Sequence, residues 1–501
     1  MIRPFALSAL IVLSACVPAS PSVPGPAPAP SPRQALRTVV DSIVAEPAFR
    51  TAQWGVLIVD PERGDTLYSH NAGKLFMPAS NQKILTGAVA LAQLGPDYRY
   101  STVFAVRGTV RDSVLDGDLL VFGRGDPSFS DRMRGDAMDA MREMADSLAA
   151  RGVKRIAGSL VSAANTFTDE PYGDGWPWDE FDYYYSAPVE ELLYNESSTT
   201  YHLIGGARAG DSVRVRWQPD APYPPTRFEL ATEGEATDTA THFRIQVVYD
   251  SLTKGYTLRG PVRAGDSVTI DVAHHDPIAG FMAALREGLR QKGITVGGAR
   301  RDTAARVDTL FAYLSPPMRE ILPALEKRSQ NQIGELLVKT LGLEKTGTGT
   351  ADSGLAVMRR QLLEWGVERD GVIAADGSGL SRYNYLTPTT VVRVLDRMRR
   401  HPDFTVFLDA LPIAGVDGTI RNRMKGTPAE GNARAKTGYV SQARSLSGYV
   451  TTADGRQLIF SLLCNNFYVP VREVERAQDA IVVTLAGLRL DGPAAASAAG
   501  R

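Results

Sequence analysis

Cysteine is nearly absent from this chain: Cys16 and Cys464 are the two in 501 residues. That rules out a disulfide framework and thiol-rich metal sites. Histidine is scarce as well, with six residues. The one adjacent pair, His274-His275, matches no common zinc spacing. It reads as a loop joining a strand to a helix that starts near Ile278, so no metal is expected. Charge of one sign is also missing, because 55 Lys and Arg stand against 56 Asp and Glu, a net charge of −1. A nucleic-acid binder or a polybasic membrane face would carry an excess of cations. No internal repeat is visible. The apolar run from Pro4 to Ala15 is too short to cross a bilayer.

What is present is an ordinary soluble globular mixture, 44% apolar and 22% charged, with a length prior of about three domains. Pro4–Ala15 follows a single positive side chain, Arg3, and ends Leu13-Ser14-Ala15-Cys16. This looks like an export signal with a bacterial lipobox. Cys16 is then the lipidated first residue of the mature protein, and membrane attachment is through that anchor. Residues 17–33, rich in Pro, Ala and Ser, read as an extended tether. Val17 is not Asp, so the familiar inner-membrane retention signal is missing, and a diderm host would place the anchor in the outer membrane. The expected location is periplasmic or at the cell surface. Cys464 ends an apolar strand and is expected to be buried.

The most informative pair is Ser80 and Lys83, in Met77-Pro78-Ala79-Ser80-Asn81-Gln82-Lys83. Ile84, Leu85, Ala88, Val89 and Leu91 behind them have helical spacing. Residues i and i+3 share a helix face, so hydroxyl and ammonium point into one space at a helix start, where free N–H groups favour an anion. A second element is Ser329-Gln330-Asn331, again just before helical spacing at Ile333, Leu336, Leu337 and Leu341. A third is Lys436-Thr437-Gly438, in a strand–turn–strand pattern, where Gly438 permits close approach of a ligand to the backbone. Lys345-Thr346-Gly347 carries the same letters but reads as a helix C-terminus.

The ordered set Ser-x-x-Lys, Ser-x-Asn, Lys-Thr-Gly is that of penicillin-binding proteins and related β-lactamases. From about Ala35 to Leu488 the chain resembles the D-alanyl-D-alanine carboxypeptidase/endopeptidase family of low-molecular-mass, class C penicillin-binding proteins, peptidase family S13. Gly125-Asp126-Pro127, Tyr183 to Pro188, Asp376 to Arg382, Leu411 to Thr419 and Leu446 to Tyr449 carry the resemblance further. It implies Ser80 as nucleophile, Lys83 as its base, Ser329 as proton relay and Asn331 as an amide holding substrate or Lys83. Lys436 and Thr437 would hold the substrate carboxylate, and the N–H groups of Ser80 and Tyr439 would form the oxyanion hole. Gly438 completes the expected substrate-binding strand. The substrates implied are peptidoglycan stem peptides, D-Ala-D-Ala termini and cross-links, with β-lactams as inhibitors and no cofactor. A lysine base must be depressed below its usual range, by burial and by the nearby Lys436 charge. A β-lactamase would share the three motifs, but no Glu-x-x-Leu-Asn segment lies between Asn331 and Lys436. A non-catalytic peptidoglycan-binding protein is the other alternative; it would keep the fold while losing motif side chains, and all are present.

Because Ser80 and Ser329 must meet in one site, most of the interval between them must leave the catalytic domain and return. The expected fold is α+β: a β-lactamase/transpeptidase-like catalytic domain, an antiparallel sheet covered by helices, interrupted by a long insertion. The catalytic domain is expected over 34–102 and 310–490, and an inserted domain over 103–200 and 273–309. A nested β domain is expected over 201–272 and a tail over 491–501. Tyr183–Tyr185 reads as packing between domains, and Asp376–Arg382 and Asp417–Thr419 as structural turns near the site.

Overall fold

The structure, a computed structural model, describes residues 31–163, 166–234, 244–302 and 308–491. Cys16 and nearly all of the expected tether and tail lie outside the described residues.

A five-stranded, wholly antiparallel sheet carries the catalytic half. Its order is Arg434–Val440, Ala443–Thr451, Gln457–Asn465, Gln53–Asp60, Asp65–His70. Side chains alternate along a strand, so the sheet sorts its apolar residues onto two faces. Leu57, Tyr449, Ile459 and Leu463 join one cluster with the serine helix (Gln82–Leu94) and the asparagine helix (Asn331–Thr346). Val56, Ile58, Phe460, Leu462 and Cys464 join the opposite cluster with the first and last described helices, Pro32–Val44 and Val471–Gly487. The serine helix is buried from Gln82 to Leu91, as expected of a helix apolar on nearly every side. The first helix starts earlier than the tether expectation allowed. Ser31 caps it, accepting from the Gln34 N–H at 3.3 Å, and Pro32 takes the first position.

The chain leaves this domain after the serine helix. The insertion builds a mixed five-stranded sheet ordered Thr295–Arg301, Arg155–Ser162, Val114–Phe122, Ser101–Arg111, Thr309–Leu314. Helices Met138–Ala149 and Pro277–Gln291 pack against it around Phe104, Leu119 and Phe281. Its limits differ from those read in the sequence. Ser101–Thr102 and Leu310–Leu314, expected in the catalytic domain, pair with each other here, with Leu314 opposite Ser101. The chain therefore returns after Leu314, into the helix Met318–Glu326. The sheet of the inserted domain is mixed, with parallel pairs between Thr295–Arg301 and Arg155–Ser162 and between Arg155–Ser162 and Val114–Phe122. Two three-stranded sheets within Ser198–Ala273 enclose a small separate core around Tyr201, Leu203 and Leu258.

Candidate active site

The elements carrying the three motifs converge on one cavity of about 560 Å3, lined by Ser80, Ser329, Asn331, Thr437, Gly438 and Tyr439 among others. Ser80 stands in a single 3-10 turn, Ala79–Asn81, which passes into the serine helix at Gln82. Ala79 has a left-handed φ of 47°. Two hydrogen bonds fix the turn to the sheet. Asn81 Nδ2 donates to the Lys436 carbonyl at 2.8 Å, and Ser445 Oγ donates to the Pro78 carbonyl at 2.7 Å. Gly438 serves this contact: a Cβ there would lie 2.2 Å from Ser445 Oγ, 2.6 Å from the Pro78 carbonyl oxygen and 2.8 Å from the Ser80 nitrogen. The close approach read from Gly438 is thus made by the chain's own Ser80 turn.

Each of two buried lysines is hydrogen-bonded to its own serine. Lys83 Nζ donates to Ser80 Oγ at 2.9 Å, to Asn331 Oδ1 at 2.7 Å and to the Ser378 carbonyl at 2.7 Å. Lys436 Nζ donates to Ser329 Oγ at 2.8 Å and to the Thr437 carbonyl at 3.0 Å. Both side chains are fully buried. Burial lowers Lys83 to about 8, while Asp376, Glu335 and Glu326 pull it the other way. Burial was one of the two expected causes; the other, the Lys436 charge, is not what lowers Lys83. Repulsion between the ammoniums is felt at Lys436, which burial and then Lys83 drive well below its ordinary value. Thr437 Oγ1 donates to Thr419 Oγ1 at 2.7 Å, which brings the Asp417–Thr419 turn to the cavity wall.

Supporting residues come from the expected Asp376–Arg382 turn and from acids not singled out in the sequence, Glu335 and Glu196. The Asp376 carboxylate accepts from the Gly379 N–H (2.7 Å), the Ser381 N–H (2.6 Å), Asn384 Nδ2 (2.7 Å) and Trp176 Nε1 (3.0 Å). Glu335 accepts from the N–H groups of Gly377 (3.0 Å) and Ser378 (2.7 Å). Together these two acids aim the Ser378 carbonyl at Lys83. The Tyr183–Tyr185 run both bridges domains and walls the site. The Tyr185 carbonyl accepts from Asn331 Nδ2 at 2.8 Å, the Tyr184 carbonyl accepts from Gln332 Nε2 at 2.9 Å, and both residues line the cavity. The second motif has another support. Asn195, Glu196 and Ser197, all buried, are left-handed in succession, with φ of 49°, 56° and 54°. Glu196 receives hydrogen bonds from Ser130 Oγ (2.8 Å) and from Gln330 Nε2, and pairs with Arg132 at 3.3 Å. Ser329, beside Gln330, is itself left-handed at φ 61°.

The remaining sequence features fall outside the site. Lys345-Thr346-Gly347 ends the asparagine helix, with Gly347 as a left-handed cap. His274 is buried against Thr199 Oγ1 at 2.9 Å, and burial lowers it to about 3; His275 contacts Asp182 and the Tyr172 hydroxyl, each at 2.9 Å. Cys464 is buried, and burial raises its thiol, which disfavours a nucleophilic thiolate.

A five-stranded antiparallel sheet between helical layers, with two serine–lysine pairs at one cavity, is the architecture of β-lactamase/transpeptidase-like serine hydrolases. The chain belongs to the D-Ala-D-Ala carboxypeptidase 3 (S13) family, whose profile matches residues 36–488. It is 35% identical over 473 residues to a D-alanyl-D-alanine carboxypeptidase of Actinomadura sp. (strain R39), covering 90% of this chain and 84% of that one. It is 26% identical to D-alanyl-D-alanine carboxypeptidase DacB of Haemophilus influenzae, over 82% of this chain and 85% of that one. The crystal structure of penicillin binding protein 4 (dacB) from Haemophilus influenzae superposes with a TM-score of 0.78 at 23% identity, covering 89% of this chain and 99% of that one.

Proposed function

We propose that this chain is a serine-type D-Ala-D-Ala carboxypeptidase and D,D-endopeptidase, acting on peptidoglycan stem peptides through an acyl-enzyme on Ser80. The observation that carries the reading is the pairing of Lys83 with Ser80 at 2.9 Å and of Lys436 with Ser329 at 2.8 Å around one cavity. Neutral Lys83 takes the Ser80 proton as Oγ attacks the carbonyl carbon of the penultimate D-Ala. The backbone N–H groups of Ser80 and Tyr439 receive the developing oxyanion. The C–N bond then breaks, and the leaving amine takes its proton through Ser329. Lys436 and Thr437 hold the carboxylate of the leaving residue. Water hydrolyses the ester and frees Ser80. A terminal D-Ala or the neighbouring strand's diamino acid can occupy the leaving position, which gives the two activities.

β-Lactams acylate the same serine, because their ring amide presents the same carbonyl and its amine stays tethered after cleavage. Peptidoglycan lies outside the cytoplasm, and the Leu13-Ser14-Ala15-Cys16 segment supports export with a lipid anchor at Cys16.

The test is mass spectrometry of muropeptides incubated with residues 34–501, with pentapeptide monomers and cross-linked dimers supplied together and Ser80→Ala as control. Loss of one alanine from monomers and conversion of dimers to monomers, both dependent on Ser80, are the expected results. A folded protein that labels with penicillin yet changes neither substrate would replace this reading with a non-hydrolytic binding protein.

A further inference from the structure

Three buried acids surround the lysine pair, and two are fully committed. Asp376 and Glu335 accept several backbone or side-chain donors, as described above. Glu326 differs. It is fully buried at the end of the helix Met318–Glu326, and neither carboxylate oxygen has a hydrogen-bond partner among the described residues. Its place is set by Gly87: a Cβ on that glycine would lie 2.6 Å from Glu326 Oε1. Gly87 is one helical turn beyond Lys83, on the same face of the serine helix. The missing side chain therefore makes room for a carboxylate on the face of the serine helix that carries Lys83.

An ionised carboxylate without donors is costly in a dry interior unless opposite charge is near. The opposite charges here are Lys436 of the third-motif strand and Lys83 of the serine helix. Burial pushes the Glu326 carboxyl up to about 7, while Lys436 and then Lys83 pull it down. In return, Glu326 acts on Lys83 in the same sense as Asp376 and Glu335 of the asparagine helix. The helices Asp131–Arg134 and Phe404–Ala410 also touch the Glu326 helix, and their charged side chains are engaged elsewhere. Arg132 pairs with Glu196, Arg134 with Glu143 and Asp409 with Arg434, while Asp131 accepts from the Ala137 N–H.

We propose that Glu326 is a positioning residue for the reaction: its negative charge, held over Gly87, retains the proton on Lys83 and so sets the pH at which Ser80 becomes reactive. It touches no substrate and transfers no proton. This rests on Lys83 serving as the base for Ser80, as proposed above.

The sign makes the idea testable as a gain. With Glu326→Gln the retaining charge is gone, Lys83 loses its proton more easily, and the acid limb of Ser80 acylation moves to lower pH by roughly half a unit. At pH 7.5, above the Glu326 value of about 7 and below the Lys83 value of about 8, acylation by benzylpenicillin, followed as adduct mass against time, is then about twofold faster than in wild type. Structural damage lowers the rate at every pH and leaves the limb in place. Glu326→Asp keeps the charge and is expected to return the limb to its wild-type position. Should Glu326→Gln fail to fold, Glu326→Met, an apolar chain of similar length, carries the same expectation. An unmoved or alkaline-shifted limb in the folded variant overturns the proposal. A wild type that takes up no drug at any pH overturns the proposed function, and this inference with it.

Discussion

Asn331 accepts from Lys83 with its Oδ1 at 2.7 Å and donates its Nδ2 to the Tyr185 carbonyl at 2.8 Å. The second motif thus fixes Lys83 from one side and the inserted segment from the other. Asn331→Asp places a carboxylate against the ammonium and favours its charged form. The acid limb of acylation is expected to move to higher pH by about one to three units, with a matching loss of penicillin labelling at neutral pH. A limb that stays in place would show that Asn331 holds substrate and does not govern Lys83.

Lys83 must be neutral to take a proton, and burial brings it to about 8. Acylation of the wild type is therefore expected to rise with pH and level off above pH 8. Each unit below that value costs about tenfold in rate. Rates of β-lactam adduct formation from pH 5 to 9 check this.

Gly438→Ala adds a carbon 2.6 Å from the Pro78 carbonyl oxygen and 2.8 Å from the Ser80 nitrogen. Both neighbours are backbone, so the serine turn has to move off the strand. A stability loss of about 1–3 kcal/mol is expected, together with loss of penicillin labelling in protein that still melts cooperatively. Retained labelling at the wild-type rate would show that the turn tolerates displacement.

Glu335→Ala leaves the Gly377 and Ser378 N–H groups buried without their acceptor. Each orphaned donor costs about 1–3 kcal/mol, so urea unfolding is expected to show a loss of a few kcal/mol. Glu335→Gln retains one acceptor oxygen and is expected to fall between. In both variants the Ser378 carbonyl loses its support, and acylation is expected to slow even where the protein remains folded.

What could be read in advance follows from where each property is encoded. That Ser80, Lys83, Ser329, Asn331 and Lys436 meet was legible because they stand in three short motifs of fixed spacing, and the structure brings all five together. The strands around and after Lys436 were legible from their strand–turn–strand pattern. The Ser378 carbonyl was not, because a backbone oxygen leaves no mark on residue identity. Glu326 and Glu335 look like ordinary helix acids until the folded chain shows them buried. Leu310–Leu314 was read as part of the catalytic domain because a half-exposed edge strand has the same pattern beside any partner. Burial as a cause of the lowered Lys83 was expected, because a lysine base requires it; the three acids that oppose it, Asp376, Glu335 and Glu326, were not, because they come from distant parts of the chain.

The left-handed run Asn195–Ser197 has a consequence for the architecture. For L-residues this conformation costs about 1–2 kcal/mol each, and here three in a row position the acid that grips Gln330, inside the second motif. The insertion is therefore no passenger that could be trimmed away to leave a minimal enzyme. A chain shortened by joining the end of the serine helix to Met318 would keep every motif letter, yet lose the hand that holds one of them.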